Sequence, residues 1–276
     1  MSILITAEEL KSLIDSGDTV RVLDVRWRLG GPAGYPLFLE GHIPTAVYVD
    51  LDTELARHGE PAEGRHPLPT VEDLQAAARS WGIDDGDTVV VYDDLKNLSS
   101  ARAWWLLKYA GVADVRLLDG SLRAWTGAGF ALETGEASIR PGSVNLAYGA
   151  LEALSIDDAA AFSETGVLLD ARAPERFRGD VEPIDPRAGH IPGARNAPAT
   201  ANVGADGRFL PAEQLRAQFE AVGVRADAPV GVYCGSGVTA AADAVALTIA
   251  GFEPALYPGS WSAWSNSPER PVATGA

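Results

Sequence analysis

The only cysteine among the 276 residues, Cys234, occurs in a pattern that can make a sulfur reactive. It directly follows the apolar run VGVY at 230–233, and the loop GSGVT at 235–239 leads from it into an Ala-rich helical segment. Two glycines let the backbone curl so that several N–H groups turn inward, and a helix N-terminus adds partial positive charge. The pattern therefore favours a thiolate at Cys234 and would also hold a larger anion, such as a persulfide. The loop residues that we predict to bind substrate are Gly235, Gly237, Val238 and Thr239.

Several familiar cysteine chemistries do not fit this loop. A phosphatase loop needs a His before the cysteine and an Arg six residues after it, and these positions hold Tyr233 and Ala240. A papain-like enzyme needs its His downstream, whereas all four histidines lie upstream of Cys234. The loop also lacks the Gly-Lys-Ser/Thr of a nucleotide-binding P-loop. A buried, unreactive cysteine remains the alternative to a catalytic one.

The chain repeats itself once. The first half contains VRVLDVR at 20–26, EGHIPTA at 40–46, TVVVYDD at 88–94 and DGSLRAW at 119–125. The second half contains VLLDAR at 167–172, AGHIPGA at 188–194, VGVYCG at 230–235 and PGSWSAW at 258–264, in the same order and at nearly constant spacing. Such a repeat indicates two copies of one domain. We predict domains at 1–133 and 151–276, a linker at 134–150, and catalysis in the second domain.

Within each copy, short β-branched runs alternate with helical patterns, which predicts an α/β fold. Each domain should form a parallel sheet with helices on both faces. Thr6 with Glu9, and Thr70 with Asp73, have the spacing of helix N-caps. Ligands of such sheets bind at the carboxyl ends of the strands, and Cys234 follows one of these ends.

Composition excludes several classes of partner. The formal net charge of −16 would repel the phosphates of nucleic acid. The chain has no apolar run of the roughly 18 residues that would suggest a membrane span. The start of the sequence lacks the pattern of a signal peptide, so we expect a cytoplasmic protein. A single cysteine leaves no internal disulfide and no Cys-rich zinc site.

The repeat, the GHIP turns and the loop CGSGVTA at 234–240 resemble the two-domain rhodanese-type sulfurtransferases. In that family the first copy lacks the cysteine and is silent, and here Asp93 stands in its place. The resemblance implies transfer of sulfane sulfur in two steps through a Cys234 persulfide, with no metal or organic cofactor. It also implies a small anionic donor and a thiol acceptor, such as thioredoxin or glutathione, or cyanide.

The resemblance further suggests which donor is used. Thiosulfate-preferring members have two cations after the cysteine, whereas this chain has Gly235 and Ser236, as 3-mercaptopyruvate sulfurtransferases do. Some of the latter have a Ser-His-Asp relay, which would here be Ser236, His66 and Asp52. We predict 3-mercaptopyruvate as the donor. Thiosulfate with the same mechanism is the alternative, and a redox-sensing or binding module without catalysis is a third possibility.

Arginines are expected to bind the anionic donor, because their planar forks match a carboxylate. By similarity, Arg176 occupies the family's substrate-binding position, and Arg172 a position with a structural pairing role. A second substrate arginine, usually in a Glu-Pro-Arg run, is replaced by Ile184 in this chain. We predict that Arg187, three residues further on, substitutes for it.

Overall fold

The structure, a computed structural model, describes residues 2–17 and 19–275. Its contacts divide the chain into two compact units. Unit 1 consists of Met1–Ala56, Pro69–Leu151 and Gly204–Phe209. Unit 2 consists of Arg57–Leu68, Glu152–Val203 and Leu210–Ala276. The short segment Arg57–Leu68 belongs to unit 2 although it comes from the first half of the chain, and it bears on the site described below.

Unit 1 contains a sheet of five parallel strands in the order β1-β5-β4-β2-β3. The strands are β1 (Leu4–Ile5), β2 (Val20–Asp24), β3 (Val47–Tyr48), β4 (Thr88–Tyr92) and β5 (Asp114–Leu118). In the central strand β4, Val89, Val90, Val91 and Tyr92 are all fully buried. Burial on both faces is expected where helices cover a parallel sheet, and it explains why these strands are continuous apolar runs.

Unit 2 contains a sheet of four parallel strands in the order β7-β6-β8-β9. The strands are β6 (Val167–Asp170), β7 (Arg195–Asn196), β8 (Val230–Tyr233) and β9 (Pro254–Leu256). The central strand β8 is buried throughout and ends directly before Cys234. The carboxyl end of β8 therefore lies between those of its two neighbours, where parallel sheets bind ligands.

Helices connect the strands in both units. In unit 1 they are α1 (Ala7–Ser16), α2 (Gly34–Glu40), α3 (Leu51–Glu54), α4 (Val71–Ser80), α5 (Ser100–Tyr109) and α6 (Ser121–Gly127). In unit 2 they are α7 (Ile156–Ala161), α8 (Pro174–Arg178), α9 (Ala212–Ala221), α10 (Thr239–Ile249) and α11 (Ser260–Ser265). Among the described residues, no helix has the length and apolar character needed to cross a membrane.

The α/β class predicted from the sequence is confirmed. The six longer strands coincide with the predicted apolar runs, while the two-residue strands β1, β3 and β7 are too short to show a periodic pattern. The predicted N-caps are present: Thr6 Oγ1 accepts from Glu9 N at 3.1 Å, and Thr70 Oγ1 accepts from Asp73 N at 3.1 Å.

The predicted linker region, 134–149, contains neither helix nor strand, and part of it packs against unit 1. Gly142 N donates to Arg79 O at 2.8 Å, and Ser143 N donates to Ile83 O at 3.1 Å. These bonds satisfy backbone groups near the end of α4. The division into 1–133, 134–150 and 151–276 stays a prediction.

Candidate active site

Cys234 lies in the loop that joins β8 to α10. Gly237 N donates a hydrogen bond to Cys234 Sγ at 3.2 Å. Gly237 adopts the left-handed conformation with φ +79°, which favours glycine because it lacks a Cβ. Val238 is the last residue before α10, and Thr239 is its first. The loop therefore curls back on the sulfur, as the two glycines predict.

The start of α11 fixes the backbone of this loop. Trp261 N donates to Cys234 O at 2.9 Å, and Ser262 N donates to Gly235 O at 2.8 Å. Cys234 N donates to Ser260 Oγ at 3.1 Å. The PGSWSAW repeat thus holds the cysteine loop through hydrogen bonds on both sides of the Cys234 peptide, which limits how far the sulfur can move.

The sulfur receives fewer hydrogen bonds than the sequence led us to expect. We predicted several inward N–H groups, and in the described part of the chain only that of Gly237 reaches Sγ. The N–H groups of Ser236 and Val238 donate no hydrogen bond to any described residue. A single sulfur on a short side chain offers one acceptor atom, so these two N–H groups can serve a second atom bonded to it.

The corresponding loop of unit 1 holds a permanent anion. Asp93, at the end of β4, is fully buried, and its carboxylate accepts seven hydrogen bonds. The donors are the N–H groups of Leu95, Asn97, Ser99 and Ser100 and the hydroxyls of Ser99, Ser100 and Ser121, at 2.8 to 3.2 Å. The loop after the central strand is therefore an anion-binding loop in unit 1.

Two arginines follow β6, and they have different surroundings. Arg172 is buried, its Nη2 pairs with Asp170 Oδ2 at 2.6 Å, and its guanidinium carbon lies 4.7 Å from the ring centre of Trp261. Arg176, on α8, is 19% exposed and donates through Nη2 to Glu182 Oε1 at 2.7 Å and to Asp185 Oδ2 at 3.2 Å. Arg172 thus has the pairing role predicted for it, while Arg176 borders the cysteine loop: its Nη1 would lie 3.5 Å from a Cβ built on Gly235.

A second guanidinium near Gly235 was not predicted. Nη2 of Arg65, from the segment Arg57–Leu68, would lie 3.2 Å from the same Cβ. Arg65 Nη1 forms an ion pair with Asp185 Oδ1, and its backbone N donates to Ser262 Oγ at 3.1 Å. Burial raises the pKa of Asp185, and the nearby Glu182 acts in the same direction against the two arginines. Arg65 is far from Cys234 in sequence, and only its place beside His66 in RHPLP could have drawn attention to it.

Two of the three predicted relay residues are in contact. His66 Nδ1 and Ser236 Oγ lie 2.8 Å apart, and both residues are buried. With its proton on Nε2, the imidazole accepts a hydrogen bond from the Ser236 hydroxyl. Asp52 belongs to unit 1, where its Oδ2 accepts from Trp27 Nε1 at 2.9 Å. Its place in a relay with His66 stays a prediction.

The structure gives Arg187 a different environment from the one predicted. All three guanidinium nitrogens donate to backbone carbonyls after α11, at 2.6 to 2.9 Å. The acceptors belong to Trp264, Ser265, Ser267 and Arg270. A fork bound in this way fixes the segment that follows α11, so the geometry does not support Arg187 as the second substrate arginine.

No group of three or more His, Cys, Asp or Glu side chains suited to a metal ion occurs among the described residues. The chemistry of the site therefore has to come from the sulfur, the hydroxyl–imidazole pair and the two guanidinium groups. Arg65 and Arg176 are 24% and 19% exposed at their side chains, so solvent reaches this side of the loop. Together these groups suit a nucleophilic sulfur that meets a small anion.

Comparison with known proteins gives consistent matches over the whole chain. A family model described as "Rhodanese-like domain" matches residues 6–128 and again 141–267. A Mycobacterium tuberculosis protein named "Putative thiosulfate sulfurtransferase SseB" is 50% identical, with 99% of this chain and 97% of that protein covered. A Pseudomonas aeruginosa protein named "Probable 3-mercaptopyruvate sulfurtransferase" is 49% identical, with 99% and 98% covered. The crystal structure of SseA from Escherichia coli, described as a 3-mercaptopyruvate sulfotransferase of "Rhodanese" fold, superposes with a TM-score of 0.85 at 34% identity and covers 95% of this chain and 99% of its own.

The Asp93 loop provides a test of this anion-binding geometry. We expect Asp93→Ala to lower the free energy of unfolding by about 3 kcal/mol or more, because each buried donor left unpaired costs about 1–3 kcal/mol. The control is Asp94→Ala, which removes a partly exposed pair with Arg28 and should cost about 0–1 kcal/mol. Denaturant titration of both variants measures the difference. Equal losses would show that the buried hydrogen bonds of Asp93 contribute nothing special.

Proposed function

The chain belongs to the rhodanese-like family, and we propose that it is a sulfurtransferase that carries sulfur as a persulfide on Cys234. The observation that carries the proposal is the position of the sole cysteine. Its sulfur lies at the carboxyl end of the central strand β8, with the Gly237 N–H directed at it. Hydrogen bonding of this kind favours the thiolate, which is the nucleophilic form of cysteine.

In the first half-reaction, the Cys234 thiolate attacks the thiol sulfur of 3-mercaptopyruvate. A sulfur–sulfur bond forms and the carbon–sulfur bond breaks. The carbon keeps the electron pair as the enolate of pyruvate, which takes up one proton. The products are pyruvate and Cys234 persulfide, and the N–H groups of Ser236 and Val238 are available to the added sulfur.

The Ser236–His66 pair fits the need for a proton in this step. A hydroxyl held at 2.8 Å from an imidazole nitrogen can donate to the developing enolate while the imidazole restores its proton. We propose that Ser236 is the donor of this proton and that His66 orients it, with Asp52 as a possible third member. The Ser236 hydroxyl is two residues from Cys234, which places it beside the reacting sulfur.

In the second half-reaction, an acceptor attacks the outer sulfur. A thiolate acceptor becomes a persulfide and cyanide becomes thiocyanate, and in both cases the Cys234 thiolate is the leaving group. We propose a thiol such as thioredoxin or glutathione, or cyanide, as the acceptor. We also propose a cytoplasmic location, where such thiols are kept reduced.

Thiosulfate is the second candidate donor. The 50% identical relative from Mycobacterium tuberculosis is named as a thiosulfate sulfurtransferase, and the two guanidinium groups near Gly235 suit a dianion as well as a carboxylate. We favour 3-mercaptopyruvate because the loop has Gly235 and Ser236 in place of two cations, and because Ser236 is paired with His66. Sulfite, the leaving group from thiosulfate, is a stable anion that needs no proton.

Intact mass measurement tests the persulfide directly. After incubation with 3-mercaptopyruvate, we expect the protein to gain the mass of one sulfur atom and to lose it on addition of cyanide, with thiocyanate released. Cys234→Ser should gain nothing, since the chain has no other cysteine. A protein that gains no sulfur from 3-mercaptopyruvate or thiosulfate, yet is oxidised at Cys234 by peroxide, would be a redox-sensing module and would contradict the proposal.

Substitution of the hydroxyl–imidazole pair separates the two donors. We expect Ser236→Ala and His66→Gln to lower kcat with 3-mercaptopyruvate about 10²–10⁴-fold, the usual contribution of a positioned proton donor. With thiosulfate the loss should be less than tenfold, since sulfite leaves without a proton. His58→Gln, an exposed histidine of the same segment, is the control and should change neither rate. Equal losses with both donors would mean that the pair has no role specific to protonation.

A further inference from the structure

The two guanidinium groups beside the cysteine loop are held in the same way. Glu182 and Asp185 have side chains only 3% and 2% exposed, and they bind one edge of Arg176. Asp185 also binds Nη1 of Arg65. Buried carboxylates of this kind fix an arginine fork in one orientation, because their own desolvation is offset only while the pair is intact.

The other edge of each fork faces the glycine next to Cys234. Arg65 Nη2 and Arg176 Nη1 are the groups nearest to a Cβ built on Gly235, at 3.2 and 3.5 Å. Neither nitrogen donates a hydrogen bond to any residue that the structure describes. Arg65 Nε is in addition buried and without a partner. Buried donors are nearly always paired in folded proteins, so unused donors that converge on one point indicate a missing acceptor.

The other candidates for a second cation are accounted for. Arg187 uses its guanidinium on backbone carbonyls, and Ile184 has no charge and is 44% exposed. Arg172 is buried against Asp170. Within the described residues of unit 2, Arg65 is therefore the cation that accompanies Arg176 at this loop.

We propose that Arg65 is a substrate-binding residue that, with Arg176, holds the carboxylate of a 2-oxo acid donor over Gly235. This inference rests on the proposed function, since it names how that same site recognises its donor. The carboxylate accepts from Arg65 Nη2 and Arg176 Nη1. Its thiol carbon, two carbons further along, then lies toward Cys234. A side chain at residue 235 would occupy the space that the carboxylate needs, which explains the glycine there.

Donor kinetics with matched variants test the role of Arg65. We expect Arg65→Met to raise KM for 3-mercaptopyruvate about 10–100-fold, the range for loss of a charge-assisted hydrogen bond, with kcat changed less than threefold. Arg65→Lys should fall between the two, because an ammonium lacks the planar fork. Arg57→Met, in the same segment, and Arg178→Met, on the helix of Arg176, are controls and should leave KM unchanged.

Direct binding separates recognition from a structural effect. Pyruvate, the product with the same carboxylate, should bind the wild-type protein by calorimetry and bind Arg65→Met at least tenfold more weakly. The rate at which cyanide removes sulfur from the preformed persulfide should be the same in both. Wild-type binding of pyruvate by Arg65→Met would overturn the inference. So would an equal loss in the cyanide step, which would mean that Arg65 only holds the fold.

The arms distinguish this inference from the proposed function and from the other donor. If the wild-type protein forms no persulfide with either donor, the proposed function fails. If it does so and Arg65→Met keeps its KM, only the role of Arg65 fails. If Arg65→Met instead weakens thiosulfate and sulfite while pyruvate binding is unchanged, the two forks bind a sulfonate rather than a carboxylate, and the choice of a 2-oxo acid is wrong.

Discussion

The loop that follows the central strand of each sheet binds negative charge with backbone N–H groups, and the rest of each unit positions that loop. In unit 1 the charge is the Asp93 carboxylate, which has two oxygens and receives seven hydrogen bonds. In unit 2 it is the single sulfur of Cys234, which receives one. The same turn therefore stabilises the fold where the anion is complete, and leaves N–H groups for an added atom where the anion is a thiolate. This difference explains how a duplicated domain can have one structural and one reactive copy.

The buried acids beside the loop have a role that their charge alone does not suggest. Glu182 and Asp185 would repel an anionic donor, yet each is paired with an arginine and almost fully buried. Since removal of one partner of a buried pair leaves an uncompensated charge, the acids keep the arginine forks in place before a ligand arrives. Orientation fixed in advance lowers the entropy cost of binding. The acids thus weaken the net positive field but sharpen the geometry of recognition.

The sequence predicted features set by nearby residues better than those set by distant ones. The strands around Cys234 are continuous apolar runs, and Gly237 is a glycine because of its positive φ, so the loop could be located from local pattern alone. Arg65 could not be found in this way, because it reaches Gly235 through a contact between segments far apart in the chain. Arg187 was chosen for its closeness in sequence to the missing arginine, but the carbonyls that follow α11 occupy its guanidinium. The number of N–H groups on the sulfur was overestimated, since glycine spacing indicates that a loop can curl but not which N–H groups reach one atom.

Donor choice in such a site depends on two separable features. A cationic fork recognises the anionic end of the donor, and a proton source is needed only if the leaving group is basic. The enolate of pyruvate is a far stronger base than sulfite, so a hydroxyl beside an imidazole accelerates one reaction and not the other. In this chain both features adjoin one backbone segment: Gly235 faces the two arginines, and Ser236 contacts His66. Because Arg65 and His66 are adjacent in sequence, a single segment, Arg57–Leu68, brings to the cysteine loop both a donor-binding cation and the imidazole that orients the proton source.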